Sequence, residues 1–316
     1  MIKLGIVGNK EFAERLKGSV SEFEIVGYMD LTIDSEFTGD LNLVFRDFLS
    51  KTDAILFMNT DREDIATYIE MAIRSSKHIL CDGFIKAQSS LIEKYISLSK
   101  EAGTKFQFYN VLRNMPTLIT ASQYLKDVKY IKTSRKIPRS NKGIDYLIYN
   151  YLQHDIELAS YVFNSGVKRI TPNVLQIFDK SPDVLSLLIE FNNDGKAEIK
   201  IKQYNDEERH HVSFYQKDRI IDAVVHEQEV YITKCASKNT EAQLNLELNY
   251  GPEKDKLSFQ KVKKPVLRFD IIKKELLNFN ENIENNISPI VNIHNTYDSY
   301  KIIADIERIL EKKCVY

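Results

Sequence analysis

A parallel α/β sheet followed by an α+β half with an open, mainly antiparallel sheet is the fold class that three observations predict. Short apolar runs at 2–7, 24–29, 54–58, 78–81 and 105–109 alternate with helix-patterned stretches up to about residue 115. From Lys168 the hydrophobic period changes to two, with turn signals such as Asn193-Asp194-Gly195 between the runs. Two more helical patterns, 269–283 and 291–310, close the chain. Strands separated by helices of about 10 to 15 residues make a parallel sheet covered on both faces, whereas period-two runs joined by tight turns pair antiparallel.

The first strand, Ile2-Lys3-Leu4-Gly5-Ile6-Val7, runs straight into Gly8, Ala13 sits where the next helix begins to pack, and Asp30 ends the second strand. That order is the Rossmann βαβ fingerprint, in which a pyrophosphate rests on a helix N-terminus and an acid about 20 residues on takes the ribose hydroxyls. Gly8, Asn9 and Lys10 form the candidate phosphate turn, but Lys10 stands where the middle glycine belongs. Its ammonium can lie against a phosphate, or it is a solvated lysine on a reshaped loop. Gly8 suits a tight strand-to-helix turn with or without a ligand. Asp30 fits two free ribose hydroxyls and repels a further phosphate, so NAD is favoured over NADP; its ordinary alternative is a loop cap. Asn59 and Thr60, after the third strand, are placed to meet the nicotinamide ribose.

Helix 65–75 puts Ile65, Ile69, Ala72 and Ile73 on one face, and helix 89–102 carries Leu91, Ile92, Tyr95, Ile96 and Leu98. Beyond Pro116 the pattern predicts a helix to about 125, a strand at 128–134, a polar loop at 135–142 and a helix at 144–163. Period-two runs follow at 174–178, 184–191, 197–204, 212–215, 219–225 and 229–233. The expected division is a dinucleotide-binding domain, 1–115, and a substrate and oligomerisation domain, 116–316, whose closing helix, 291–310, packs back on the first. Val184, Leu188 and Phe191 give the second sheet an apolar face, and a homodimer or homotetramer through that face is expected.

The 316 residues carry 44 basic and 45 acidic side chains and are 43% hydrophobic. This balance points to small-molecule or protein partners and away from nucleic acid. Cys81, Cys235 and Cys314 are too scattered for a disulfide framework or a zinc site, which fits a reducing compartment. With no leader pattern and no apolar run near the roughly 18 residues of a bilayer span, a cytoplasmic protein is expected. No metal is expected: Asp61-Arg62-Glu63-Asp64 sits at a helix start, where acids cap, and the adjacent His210 and His211 point to opposite faces of a strand.

Five stretches, Gly5-Ile6-Val7-Gly8 with Ala13, DAILFMNTDRED (53–64), AIRSSKHILCDGF (72–84), NVLRNMP (110–116) and YLQHDIELA (151–159), together resemble the glucose-fructose oxidoreductase, inositol dehydrogenase and MocA family. The resemblance implies an NAD(P)-dependent oxidoreductase acting on a sugar, cyclitol or sugar nucleotide. The family's E-K-P signature falls on Asp82-Gly83-Phe84, placing Asp82 at the cofactor and removing the usual lysine and proline. Its D-x-x-x-H-x-x-D helix becomes Asn150, His154 and Glu157.

His154 is the residue best suited to acid–base chemistry, because histidine titrates near neutral pH. Asn150 lies one helical turn before it and Glu157 nearly one turn after, so the three can share a face; Tyr151 and Asp155 lie off it. The ordinary alternative is a hydrogen-bonded structural histidine. Lys86 and Arg113 are the nearest cations that could polarise a substrate oxygen in place of the missing lysine. Against the oxidoreductase stand a non-catalytic descendant serving as sensor, scaffold or partner subunit, and a non-redox enzyme of elimination or hydrolysis.

Overall fold

The computed structural model describes residues 1–8, 10–18, 20–31, 40–58, 64–109, 111–236, 258–287 and 293–313. The first half alternates strictly: β1 (Ile2–Val7), α1 (Lys10–Leu16), β2 (Phe23–Met29), α2 (Leu41–Ser50), β3 (Ala54–Phe57), α3 (Ile65–Arg74), β4 (His78–Asp82), α4 (Ser89–Ala102) and β5 (Phe106–Tyr109). Short helices α5 (Val111–Asn114) and α6 (Pro116–Ser122) lead to β6 (Tyr130–Ile137), α7 (Ile144–Leu147), a π-helical turn (Ile148–Leu152) and α8 (Gln153–Phe163). Strands β7 (Val167–Leu175), β8 (Val184–Phe191), β9 (Lys196–Gln203), β10 (Arg209–Tyr215), β11 (Arg219–Val224), β12 (Glu229–Ala236) and β13 (Ser258–Lys264) follow, then α9 (Ile271–Glu284) and α10 (Ile293–Lys313). The chain divides into one compact unit of Met1–Val111 with Asp270–Ala304, and a second of Leu112–Phe269 with Asp305–Tyr316. No helix of the described residues is long and apolar enough to cross a membrane.

In the first unit the five strands are parallel, in the order β2-β1-β3-β4-β5. All four residues of β3 are buried, as expected of a strand covered on both faces. One face packs Phe45, Tyr68, Ile69, Ile92 and Tyr95 of α2 to α4 together with Tyr300 of α10. The other packs Ala13 and Leu16 of α1 against Leu276 and Phe279 of α9, with Phe279 stacked on Phe23 at 6.5 Å between ring centroids. Helix α9 starts where the Asp270 carboxylate accepts the Lys273 amide at 3.0 Å, a side-chain N-cap. Chain order sends β2 to one side of β1 and β3 to the other, which makes the C-terminal edge between β1 and β3 the switch point where such sheets bind ligands.

The second unit holds an eight-stranded sheet, β13-β12-β11-β10-β6-β9-β8-β7. It is mixed, because β6 and β9 pair in parallel while the other neighbours are antiparallel. Alternation gives it one buried face, with Ile131, Thr133, Arg135 and Ile137 of β6 beside Ala197, Ile199 and Ile201 of β9. Helix α8 and the π turn pack against β9, and α6 against β11 and β12.

Three local expectations change here. Residues 135–137 belong to strand β6 rather than to a loop, because Arg135 continues the inward alternation. The strand expected at 174–178 is β7, Val167–Leu175. It lies at the sheet edge, where Pro172 is tolerated and exposure erases the hydrophobic period. The expected apolar face is corrected in part: Phe191, 1% exposed, lies on the buried face, while Val184, 8% exposed, and the half-buried Leu188 are in register with Lys202 and Glu198 on the other. The positions that alternate outward on β6 and β9 are Lys132, Ser134, Lys136, Glu198, Lys200 and Lys202.

Candidate functional site

Gly8 closes β1 with its N–H donating to the Met29 carbonyl at 2.8 Å and its backbone at φ +130°, a conformation that side chains rarely adopt. A Cβ there would lie 2.8 Å from Met58 Cβ, so the turn after β1 and the end of β3 are in direct contact. Lys10 opens α1, is exposed, and sets its ammonium 5.6 Å from the Tyr28 ring. Asp30 is exposed just past β2. The candidates Asn9, Asn59 and Thr60 lie outside the described residues, as do Asp61, Arg62 and Glu63.

Beside that turn, the C-terminal ends of β3, β4 and β5 line a pocket of about 320 Å³, its open mouth included. Met58, Asp82 and Tyr109 come from the strand ends, Phe12 from α1, and Ile272, Glu275 and Leu276 from α9, over a floor of Leu56 and Leu80. The pocket wall is apolar except for two carboxylates and a phenol. Burial raises Asp82 above the ordinary carboxylate range. Tyr109, its register partner across β4 and β5, is raised first by burial and then by Asp82 and Glu275. Glu275 is held by Gln107, whose Nε2 donates to it at 2.6 Å while Asn282 Nδ2 donates to Gln107 Oε1 at 3.1 Å. Gly83 follows Asp82 at φ +88°. Lys86 is exposed three residues on.

In the second unit, the helix carrying His154 is not a continuous α-helix, and its three candidates do not share one environment. Asn150 is exposed within the π turn, its Nδ2 donating to the Tyr146 carbonyl at 3.1 Å. Glu157 is buried and accepts from Arg113 at 2.7 Å, and the Arg113 guanidinium lies 3.6 Å from the Tyr161 ring centroid. Burial nonetheless leaves Glu157 above the ordinary carboxylate range, outweighing the pull of Arg113. Arg113 and Glu157 are thus committed to each other, and breaking one side would strand a buried charge.

His154 sits instead against a polar cluster that sequence reasoning missed. Arg135 Nε donates to Asp155 Oδ2 at 2.9 Å and Arg135 Nη1 to Glu208 Oε1 at 3.0 Å, while His210 Nε2 lies 3.2 Å from Asp155 Oδ1. Burial alone would raise Asp155; Arg135 and then His210 outweigh it and hold the carboxyl far below its ordinary range. His154 is pushed down to about 3, first by burial and then by the Arg135 charge. It is therefore a neutral imidazole at physiological pH, with no proton to donate. The signals for this cluster were the strand alternation at Arg135 and His210, and an acid next to the histidine.

No protein-family model matches the chain, and no curated protein does. Solved structures match over nearly its whole length. UDP-N-acetylglucosamine 3-dehydrogenase from Acidithiobacillus ferrooxidans superposes with a TM-score of 0.78 at 12% identity, covering 95% of this chain and 94% of that one. A dehydrogenase from Clostridium difficile gives 0.76 at 16% identity over 97% and 99%, and a dehydrogenase from Chromobacterium violaceum 0.76 at 11% over 99% and 98%. The chain has the fold of these dehydrogenases, the same fold that its resemblance to the glucose-fructose oxidoreductase, inositol dehydrogenase and MocA family implies.

Proposed function

We propose that the chain is a nicotinamide-dependent oxidoreductase that binds NAD(H) in preference to NADP(H) and acts on a sugar, cyclitol or sugar nucleotide. The observation that carries this reading is the pocket at the C-terminal ends of β3, β4 and β5, beside the Gly8 turn at the switch point of the sheet. A dinucleotide laid across such a point puts one half on each side. Asp30 on the β2 side would take the adenosine ribose, and the mainly apolar pocket on the other side would take the nicotinamide ring. When bound, that ring supplies the hydride acceptor or donor.

His154 is the proposed proton acceptor. Held neutral first by burial and then by Arg135, it has no proton to donate to a ketone, which leaves it the acceptor's role. Glu157 is proposed to hold Arg113 and the α8 backbone rather than to orient a ligand. The substrate class rests on the resemblance and on the sugar nucleotide named for one structural neighbour. The non-catalytic reading is favoured by three losses relative to the resembling family, Gly83 for its lysine, Phe84 for its proline and Lys10 for the middle glycine.

Titration of the nucleotide-stripped protein with NADH and NADPH, followed by nicotinamide fluorescence and melting temperature, separates the two. Micromolar binding with NADH the tighter ligand is expected. Failure of both to bind leaves the sensor or scaffold reading.

A further inference from the structure

In the second unit's sheet, strand register brings together cations that adjacent strands ordinarily keep apart. Lys136 of β6 is in register with Lys202 of β9 on one side and with Arg209 of β10 on the other. All three alternate with buried neighbours, Arg135 and Ile137 on β6, Ile201 and Gln203 on β9 and His210 on β10, so they share the outward face. Strands lie about 4.8 Å apart, which sets the outer two of these backbones about 10 Å apart with Lys136 between them. The next row on the same face adds Lys200 beside Ser134, with His211 on Ser134's other side. Acids of this face have donors of their own: Tyr130 and Lys132 at Glu198, Ser213 and His211 at Asp222, and Lys263 at Glu229.

Like charges directly across a strand pair are destabilising, so a row of three is held against its own repulsion. Chains break a local rule of this kind chiefly where a function compensates for it. What compensates three neighbouring cations is an anion with more than one charge. The oxygens of a diphosphate can accept from two lysine ammonium groups and, two at a time, from the fork of an arginine guanidinium. Lysine and arginine side chains are long and flexible, so from three adjacent strands they can meet over the middle one. We propose that Lys136, Lys202 and Arg209, with Lys200 behind them, form a binding site for a small diphosphate anion taken up free from solution. The site lies wholly within the second unit and is independent of the cofactor reading. Binding replaces mutual repulsion with attraction at each cation and stabilises the folded chain by mass action.

The test is calorimetric titration and thermal unfolding with sodium pyrophosphate, against sodium chloride at matched ionic strength, for the wild-type protein, Lys136→Gln and Lys202→Gln. The wild type is expected to bind pyrophosphate with a Kd on the order of 100 μM and to gain melting temperature beyond the chloride control. Lys136→Gln removes the central cation and is expected to weaken binding by about tenfold, with Lys202→Gln acting in the same direction. Without anion, both variants should melt at or above the wild-type temperature, because a repulsion has gone. That sign separates an anion site from lysines that merely hold the sheet. Asp206 and Glu207 are exposed in the connection just before Arg209, and pyrophosphate has to bind in their presence. If it does not bind beyond the chloride control, the inference is overturned. It is equally overturned if both variants bind pyrophosphate as tightly as the wild type, which would place the anion elsewhere, or if both melt below the wild type.

Discussion

His154 illustrates how one buried charge sets the behaviour of its neighbours. Arg135 is engaged by Asp155 and Glu208, and that pairing makes a guanidinium tolerable beneath α8. Burial first and the guanidinium second penalise a proton on His154, which is pushed down to about 3 from an ordinary 6.5. In the unfolded chain the imidazole takes up a proton as pH falls below 6.5, while in the folded chain it does not until about 3. The unfolded state thus binds more protons throughout that window, and stability drops as pH falls through it, by up to about 1.4 kcal/mol per pH unit for one histidine. His210, also lowered by burial and Arg135, adds in the same direction. His154→Gln is expected to remove about one proton's worth of this slope, read as the urea midpoint between neutral pH and pH about 4. An unchanged slope, or an imidazole resonance titrating near 6.5, would show that His154 is not the group responsible.

At the scale of elements, the turn from β1 into α1 separates what backbone geometry demands from what a ligand demands. Gly8 sits at φ +130° with Met58 Cβ 2.8 Å from where its own Cβ would be, so the strand ends leave no room for a side chain even without a nucleotide. Gly8→Ala is expected to lower stability by about 1–3 kcal/mol in nucleotide-free protein, measured by denaturant unfolding, from the strained φ alone and more if Met58 cannot shift. A variant of wild-type stability would mean that the turn relaxes, and would return Gly8 to a purely ligand-driven role. The same residue shows why the α/β half was legible in sequence: a glycine after an apolar strand and an acid after the next one are local signals. By contrast α9 reads only as a generic amphipathic helix. That Glu275 lines one pocket with Asp82 brings together residues nearly 200 positions apart, and no local pattern carries it. The π turn is equally silent, because its apolar residues fit a straight helix about as well.

The whole molecule obeys the class predicted from alternation, an α/β sheet and then a mixed sheet, because burial on two faces or one writes a different period into each half. Composition alone misleads about the second sheet's free face. Phe191 is apolar and β-patterned yet buried on the inner face, and parity along β6 and β9 decides that lysines face outward. Register makes the consequence specific: Lys136 of β6 lies beside Lys202 of β9 and opposite Arg209 of β10, three cations in one row across three strands. Like charges so placed repel, and stacking the same face of a second copy against them adds repulsion that only counter-ions relieve. The homodimer or homotetramer proposed through this sheet should therefore strengthen as salt is raised, the reverse of an association driven by opposite charges. Light scattering at low and high salt measures this directly: the mass should rise with ionic strength. An assembly that is complete at low salt, or that salt dissociates, would rule out the lysine face as its interface and place the contact on another surface.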